Sequence, residues 1–303
     1  MTKLRGQDKK TGQTAGMLSV LLSAVIFGFT PVLAAISYQG GNNGVNMAFL
    51  RALLPIPVLA FLARKAPKPT GRQVKGGLRL GLVLFGCTLL LYSSYAFIPV
   101  GLATTLHFLY PLYVVLYEKV VQKKPLGRNK TLGLLLGLAG LALFLDISGG
   151  IPDPRGMALA LLSGVCYAAY IILLGREAEQ PMPLYQLMLT VSVSGAALCG
   201  AAGLATGSLT LALTGKAWIC AATVAMLAAV VACVLFQAGV RSVGKANAAI
   251  FSLLEPITSI AFSLWLLNDR LSAVKMAGCG VILLGLLAAA LPSGAPGRKT
   301  LSQ

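Results

Sequence analysis

Apolar residues run along this chain in long, nearly unbroken blocks, and short clusters of Lys, Arg, Pro and Gly separate them. A hydrocarbon core of about 30 Å takes about 20 helical residues to cross. Blocks of that length therefore read as membrane-spanning helices, with the charged, Pro and Gly clusters marking their ends. The pattern predicts ten, over 15–38, 45–64, 77–98, 101–121, 131–147, 155–175, 184–206, 217–240, 246–267 and 271–291. Only Pro99 and Gly101 divide the third from the fourth, and reading through them gives nine. The expected fold class is an all-α membrane protein.

The blocks are also related to one another. Gly16, Met17, Leu21, Leu22, Ser23 and Val25 recur as Gly156, Met157, Leu161, Leu162, Ser163 and Val165, an offset of 140 residues. Pro111, Leu126, Gly133 and Gly140 recur as Pro256, Leu271, Gly278 and Gly285, an offset of 145. Two homologous halves follow, 15–147 and 155–291, between tails 1–14 and 292–303. Five spans per half is an odd number, so the second half enters the membrane from the opposite side and the repeat is inverted. The basic residues agree. With the N-terminus in the cytoplasm, 20 of the 25 Lys and Arg fall on cytoplasmic flanks, which puts both termini inside. The first block, behind a few basic residues, has the look of a secretory signal. Its length and its match to 156–165 make it part of the fold instead.

Composition narrows the chemistry. The chain is 57% apolar and 11% charged, with a mean hydropathy of +0.82, against about 25% charged in soluble domains. The connecting loops are too short to hold a soluble catalytic domain. All six cysteines fall inside apolar blocks with no C-x-x-C pair and no neighbouring histidine, so neither a metal site nor a cofactor is expected. The net charge of +17 sits beside the spans, where anionic lipid and topology account for it better than nucleic acid does. No G-x-x-x-x-G-K-[ST] motif is present to use ATP directly. The expected partners are a small-molecule substrate and the lipid bilayer, and the oligomeric state is left open.

Phe27-Gly28-Phe29-Thr30-Pro31 in the first helix, Arg51 early in the second and Leu254-Glu255-Pro256 in the ninth, on a five-plus-five repeat, resemble the EamA family of the drug/metabolite transporter superfamily. The resemblance covers roughly 15–291 and implies an inner-membrane carrier, in many members an exporter of amino acids or other small metabolites. The glutamate that the family often places downstream of the proline in each half has no match here. Lys123 and Lys124 stand at that distance from Pro111, and Asn268 and Asp269 from Pro256.

A charge near the bilayer midplane is costly, so one that is present usually faces a cavity or a partner. Glu255, about 14 Å into the ninth helix at 1.5 Å per residue, is the clearest case. Pro256 lacks an N–H and is expected to break or kink the helix there, freeing the Ser252 carbonyl. The 145-residue offset places Tyr110 and Pro111 at the matching positions of the first half. Glu255, binding an ammonium group or carrying a proton, and Tyr110, offering a ring face and a hydroxyl, are thus the expected centre of a substrate site. His107, the only histidine, lies one turn before Tyr110 and suits proton coupling or, equally, a hydrogen bond to a neighbouring carbonyl. Tyr95, Tyr167, Tyr170 and Trp265 are further candidates for contact with substrate, among aromatics that otherwise serve packing or the interfacial belt. Pro111 and Pro256 are expected to act as gating or structural elements, and Arg51 to pair or snorkel. Glu118 and Asp146 lie near helix ends and are weaker candidates.

The function expected is a non-enzymatic secondary transporter that exports a small polar metabolite, such as an amino acid or amine, by alternating access around a midplane site. Two alternatives belong to other classes: a lipid-carrier flippase or structural subunit, and an intramembrane serine hydrolase pairing Ser163 with His107.

Overall fold

The computed structural model describes residues 2–98, 100–125, 127–143, 152–177, 182–267 and 272–291. These are helical, with no strand among them. The first half holds α1 (Thr2–Gln39), α2 (Gly44–Leu53), α3 (Ile56–Ala63), α4 (Gly71–Ser94), α5 (Val100–His107), α6 (Tyr110–Leu116), which runs into a π-helical turn over Tyr117–Val121, and α7 (Arg128–Ala142). The second holds α8 (Pro154–Glu177), α9 (Leu184–Thr206), α10 (Gly215–Ala225), a π-helical stretch over Met226–Ala232, α11 (Cys233–Val243), α12 (Lys245–Phe251), α13 (Leu254–Leu267) and α14 (Ala273–Ala290).

Eight helices or end-to-end pairs among the described residues are long and apolar enough to cross a membrane. They are α1, α2 with α3, α4, α8, α9, α10 through α11, α12 with α13, and α14. The two remaining predicted spans correspond to α5 with α6, broken at Phe108–Leu109, and to α7, which has 15 residues.

Local chemistry sets the ends. α4 starts six residues before the predicted 77 because Thr70 and Gln73 form a capping box, each side chain closing the other's backbone N–H, so the basic first turn is helix and not loop. Asn43, Thr214 and Ser272 cap α2, α10 and α14 in the same way from one side. α9 ends where Gly207 takes a left-handed φ of 64°, and the Ser208 N–H reaches back to the Gly203 carbonyl, a Schellman closure. α1 extends below its apolar block to Thr2, and residues 144–147 of the fifth predicted helix lie outside the described residues.

Packing crosses between the halves. α1 lies along α10, α11 and α13, α4 along α8 and α9, α2 along α9, and α7 along α14. The last pair shows the geometry. A Cβ at Gly133 would stand 2.6 Å from the Gly285 carbonyl, one at Gly285 2.7 Å from the Gly133 carbonyl, and one at Gly140 2.7 Å from the Gly278 carbonyl. Gly133 and Gly140 are the repeat partners of Gly278 and Gly285, so each glycine meets the partner of the other. That crossed pairing is what a two-fold relation between antiparallel helices produces, as in an isologous interface. Only glycine lets the backbones come this close.

Candidate functional site

The glycine and proline positions of the sequence motifs are where the interior is built. Pro31 sits inside α1 and removes the N–H that the Phe27 carbonyl needs. The Thr30 hydroxyl replaces it at 2.8 Å, and the helix continues. On the next residue round, a Cβ at Gly28 would lie 2.7 Å from the Glu255 carbonyl and 2.8 Å from the Ser259 nitrogen. α1 and α13 therefore touch backbone to backbone beside Glu255. Phe29 packs on Phe262 at 4.8 Å between centroids, and Phe27 lies 5.8 Å beneath the Arg51 guanidinium.

Both halves break close to Tyr110 and Glu255, the first directly before Tyr110 and the second one repeat position earlier, with Leu254 between the turn and Glu255. In the first, α5 stops at His107, Phe108 and Leu109 turn, and Pro111 is the second residue of α6. In the second, α12 stops at Phe251, Ser252 and Leu253 turn, and Pro256 follows in α13. The expected break is present, but the Ser252 carbonyl is not free: it accepts the Glu255 N–H at 3.0 Å. A tight i+3 turn takes up the acceptor that proline deprives of its i+4 donor.

Tyr110 is fully buried and its hydroxyl meets Ser252 Oγ at 2.5 Å. Ser252 Oγ also lies 2.9 Å from the Ala249 carbonyl and 3.1 Å from that of Ala248, acceptors that claim its proton, so Tyr110 is the donor to Ser252. His107 Nδ1 lies 3.0 Å from Ser163 Oγ, which donates to the Ala160 carbonyl at 2.6 Å. By the same reasoning Nδ1 carries the hydrogen and donates to the serine. The pair required by a serine hydrolase is thus in contact but oriented the wrong way: the imidazole nitrogen has no lone pair for the serine, and Ser163 is wholly buried. Gly164 lets α8 approach this break, since a Cβ there would stand 2.8 Å from the His107 carbonyl.

An aromatic cluster joins these groups. Tyr167 meets Tyr110 edge-on at 4.6 Å, stacks with Tyr170 at 5.8 Å, and lies 5.4 Å from His107. Tyr170 is buried, with Gln237 Nε2 3.3 Å from its hydroxyl. Glu255 borders the cluster and interacts electrostatically with Tyr110, Tyr167 and Arg51. It is only half-buried although it lies among helices. Arg51 is likewise half-buried, and its field reaches Tyr92, Tyr167 and Glu255. Among the described residues no direct ion pair joins Arg51 to Glu255.

Tyr92 and Tyr95 stand together at 5.7 Å, with Tyr38 hydrogen-bonded to Tyr92, on the Arg51 side of the interior. Tyr38 and the Ser252 hydroxyl were not singled out by sequence, whereas Ser163 was paired with His107, as a nucleophile. A tyrosine at a helix end looks like an interfacial anchor, although the basic block that follows Arg51's helix and the aromatics ending α4 both pointed to this end. Trp265, by contrast, is 73% exposed on the outer face of α13 and does not join the cluster. Asp146 lies outside the described residues.

The EamA-like transporter family model matches residues 14–145 and again 154–291, the two halves of the repeat. The chain belongs to the EamA-like transporter family. It is 26% identical over 292 residues to the uncharacterized transporter YcbK of Bacillus subtilis, covering 90% of this chain and 92% of that protein. It is also 26% identical over 279 residues to an uncharacterized transporter of Archaeoglobus fulgidus, covering 90% and 96%. A solved crystal structure superposes with a TM-score of 0.76 at 20% identity over 91% of this chain and 96% of the other, a likeness of fold. This EamA-like protein is a multi-pass membrane transporter, and several residues of the sequence motifs lie where the interior is built: Gly28 against α13, Thr30 and Pro31 shaping α1, and Glu255-Pro256 at the second break.

Proposed function

We propose that this EamA-like transporter is a secondary carrier that exports a small polar metabolite, such as an amino acid or amine, by alternating access about a midplane site. The reading takes ten spans as two inverted five-helix repeats, both termini cytoplasmic, with α5–α6 and α7 as the fourth and fifth spans. The reciprocal glycine contacts of α7 and α14 support the inversion.

One observation carries the site. Two opposite charges, Glu255 and Arg51, share the interior, each partly accessible and, among the described residues, neither held in an ion pair, although Arg51 is hydrogen-bonded to Cys233. In a low-dielectric interior such charges are retained where they do work. Glu255 takes the ammonium group of the substrate, Arg51 an anionic group where one is present, and Tyr110, Tyr167 and Tyr95 line the wall with ring faces. His107, fixed by Ser163, holds the first break in place. The broken spans bring polar backbone to the site, as in other carriers whose discontinuous helices meet at the midplane.

The test is a thermal-shift screen of purified protein against amino acids, polyamines and quaternary amines, in which a ligand at 100 times its Kd stabilises by about 2.7 kcal/mol. A hit that shifts the wild type and not Glu255→Gln supports the reading. A hit that shifts both equally, with flux in proteoliposomes unchanged, removes Glu255 from the site.

A further inference from the structure

The interior is packed more tightly toward one end than toward the other. Toward the end that carries the last turn of α8, the space below Tyr110 is filled by Val114, Tyr170, Ile171 and Leu174, all essentially inaccessible. Toward the other end, Tyr38, Arg51, Tyr92 and Tyr95 remain partly exposed. Just outside the plug, three side chains converge from both halves. Tyr117 begins the π-helical turn after α6 in the first repeat. Arg176 of α8 donates from Nη2 to the Tyr117 hydroxyl at 2.6 Å, with its Cζ 5.9 Å from the ring centroid. Lys245, the first residue of α12, has its Nζ 5.3 Å from the same centroid and is 8% exposed. Its stem lies along Gly175, where a Cβ would be 3.2 Å from Lys245 Cδ.

The matching positions at the opposite end are different in kind. By the repeat offsets, Tyr117, Arg176 and Lys245 correspond to Phe262, Ile36 and Val100. No cation is available at any of them. The opposite end is fastened differently, by hydrogen bonds such as Asn43 Nδ2 to the Ser208 carbonyl at 2.7 Å and Asn46 Nδ2 to the Thr210 carbonyl at 3.0 Å, while the matching position Phe262 packs on Phe29.

We propose that Tyr117, Arg176 and Lys245 form a cation–π latch that holds this end of the carrier shut and must part for the interior to open there. Two cations of the second repeat grip one ring of the first. Glu118 and Lys124 also lie within electrostatic reach of Lys245, so the cluster is net positive, and Glu118 together with the Tyr117 ring eases the approach of the two cations. A π-helical turn at Tyr117 adds a residue to the helix at this point and sets the ring toward its partners. The latch rests on the alternating-access reading, but not on Glu255 as the substrate group.

Hydrogen exchange measured by mass spectrometry on the full chain in nanodiscs tests it without a known substrate. Tyr117→Leu removes ring and hydroxyl and is expected to raise exchange at least tenfold over 170–176 and 245–251, and to lower it over 38–51 and 92–95 as the population moves to the opposite facing. Tyr117→Phe keeps the ring and should give the same pattern with a smaller amplitude, which guards against misfolding of the leucine variant. Exchange that rises only at the latch end, or changes nowhere, overturns the proposal. Glu255→Gln should leave the pattern as in wild type, so a failed site and a failed latch give different results.

Discussion

Between α5 and α6 the chain turns over Phe108 and Leu109, and between α12 and α13 over Ser252 and Leu253, with a proline second or third in the helix that follows. The backbone device is shared, but the side chains it presents are not. The first break carries His107 and Tyr110, both neutral, buried and hydrogen-bonded to serines of the other half. The second carries Ser252, which receives Tyr110, and Glu255, which is half-buried and, among the described residues, without a direct ionic partner. Each break has its own close-packed glycine, Gly164 on α8 against the first and Gly28 on α1 against the second. Duplication supplied the same frame twice. Divergence at 110 and 255 then made one copy a sealed support and the other a half-buried charge.

The largest effect should separate the two breaks by charge. Glu255→Gln keeps the shape of the side chain and removes the carboxylate, so binding of a cationic ligand is expected to weaken by about 2 kcal/mol or more, roughly 30-fold in Kd. Tyr110→Phe leaves Ser252 with its helical carbonyls and should cost only about 1 kcal/mol of stability. Calorimetry with a ligand from the thermal screen, beside melting curves of both variants, checks the contrast. Equal loss of binding in the two would mean that the site does not distinguish the halves.

Much of this frame was legible in the sequence, because apolar length and the repeat are summed over many residues. The position of the breaks followed from Pro111 and Pro256. What was missed depends on tertiary neighbours. Ser252 is a small polar residue in an apolar helix, where most satisfy their own backbone, and nothing local says that its hydroxyl will meet a ring from the other half; Ser163 was paired with His107 in the sequence, but as a nucleophile and not as an acceptor from the imidazole. Trp265 is a different case. It lies ten residues after Glu255, which at about 100° per residue puts it about 80° off that face, so its outward position was open to prediction. The basic start of α4 was set aside as loop although Thr70 and Gln73 signal a capped helix.

A smaller effect should sharpen the comparison through the two glycines. At Gly28 an added methyl meets the Thr258 hydroxyl, the Glu255 carbonyl and the Ser259 nitrogen, whereas at Gly164 it meets the His107 carbonyl closely and the Tyr113 ring only at 3.4 Å. Overpacking of this kind costs about 1–3 kcal/mol. Gly28→Ala is expected at the upper end and to reduce ligand binding as well, because it moves the backbone of Glu255 itself. Gly164→Ala should lower the melting temperature with Kd less affected. Melting temperature and Kd read on the same two variants decide it, and a larger loss of affinity at Gly164 would place the site at the first break.

The smallest effect concerns the prolines. Alanine at 256 restores an N–H whose natural acceptor, the Ser252 carbonyl, already holds the Glu255 N–H at 3.0 Å. The regained donor can at best share an occupied oxygen, so Pro256→Ala should change stability by less than about 1 kcal/mol. Alanine at 111 restores a donor to the His107 carbonyl, which the structure instead presses against Gly164. Capturing that carbonyl in a regular helical bond straightens the first break, draws it away from α8 and strains the His107–Ser163 hydrogen bond. Pro111→Ala is therefore expected to slow amide exchange over 108–113 while Pro256→Ala leaves 253–258 as it was. Matching protection in both segments would show that the i+3 turn at Ser252 does not hold its carbonyl, and the distinction between the two breaks would then rest on Glu255 alone.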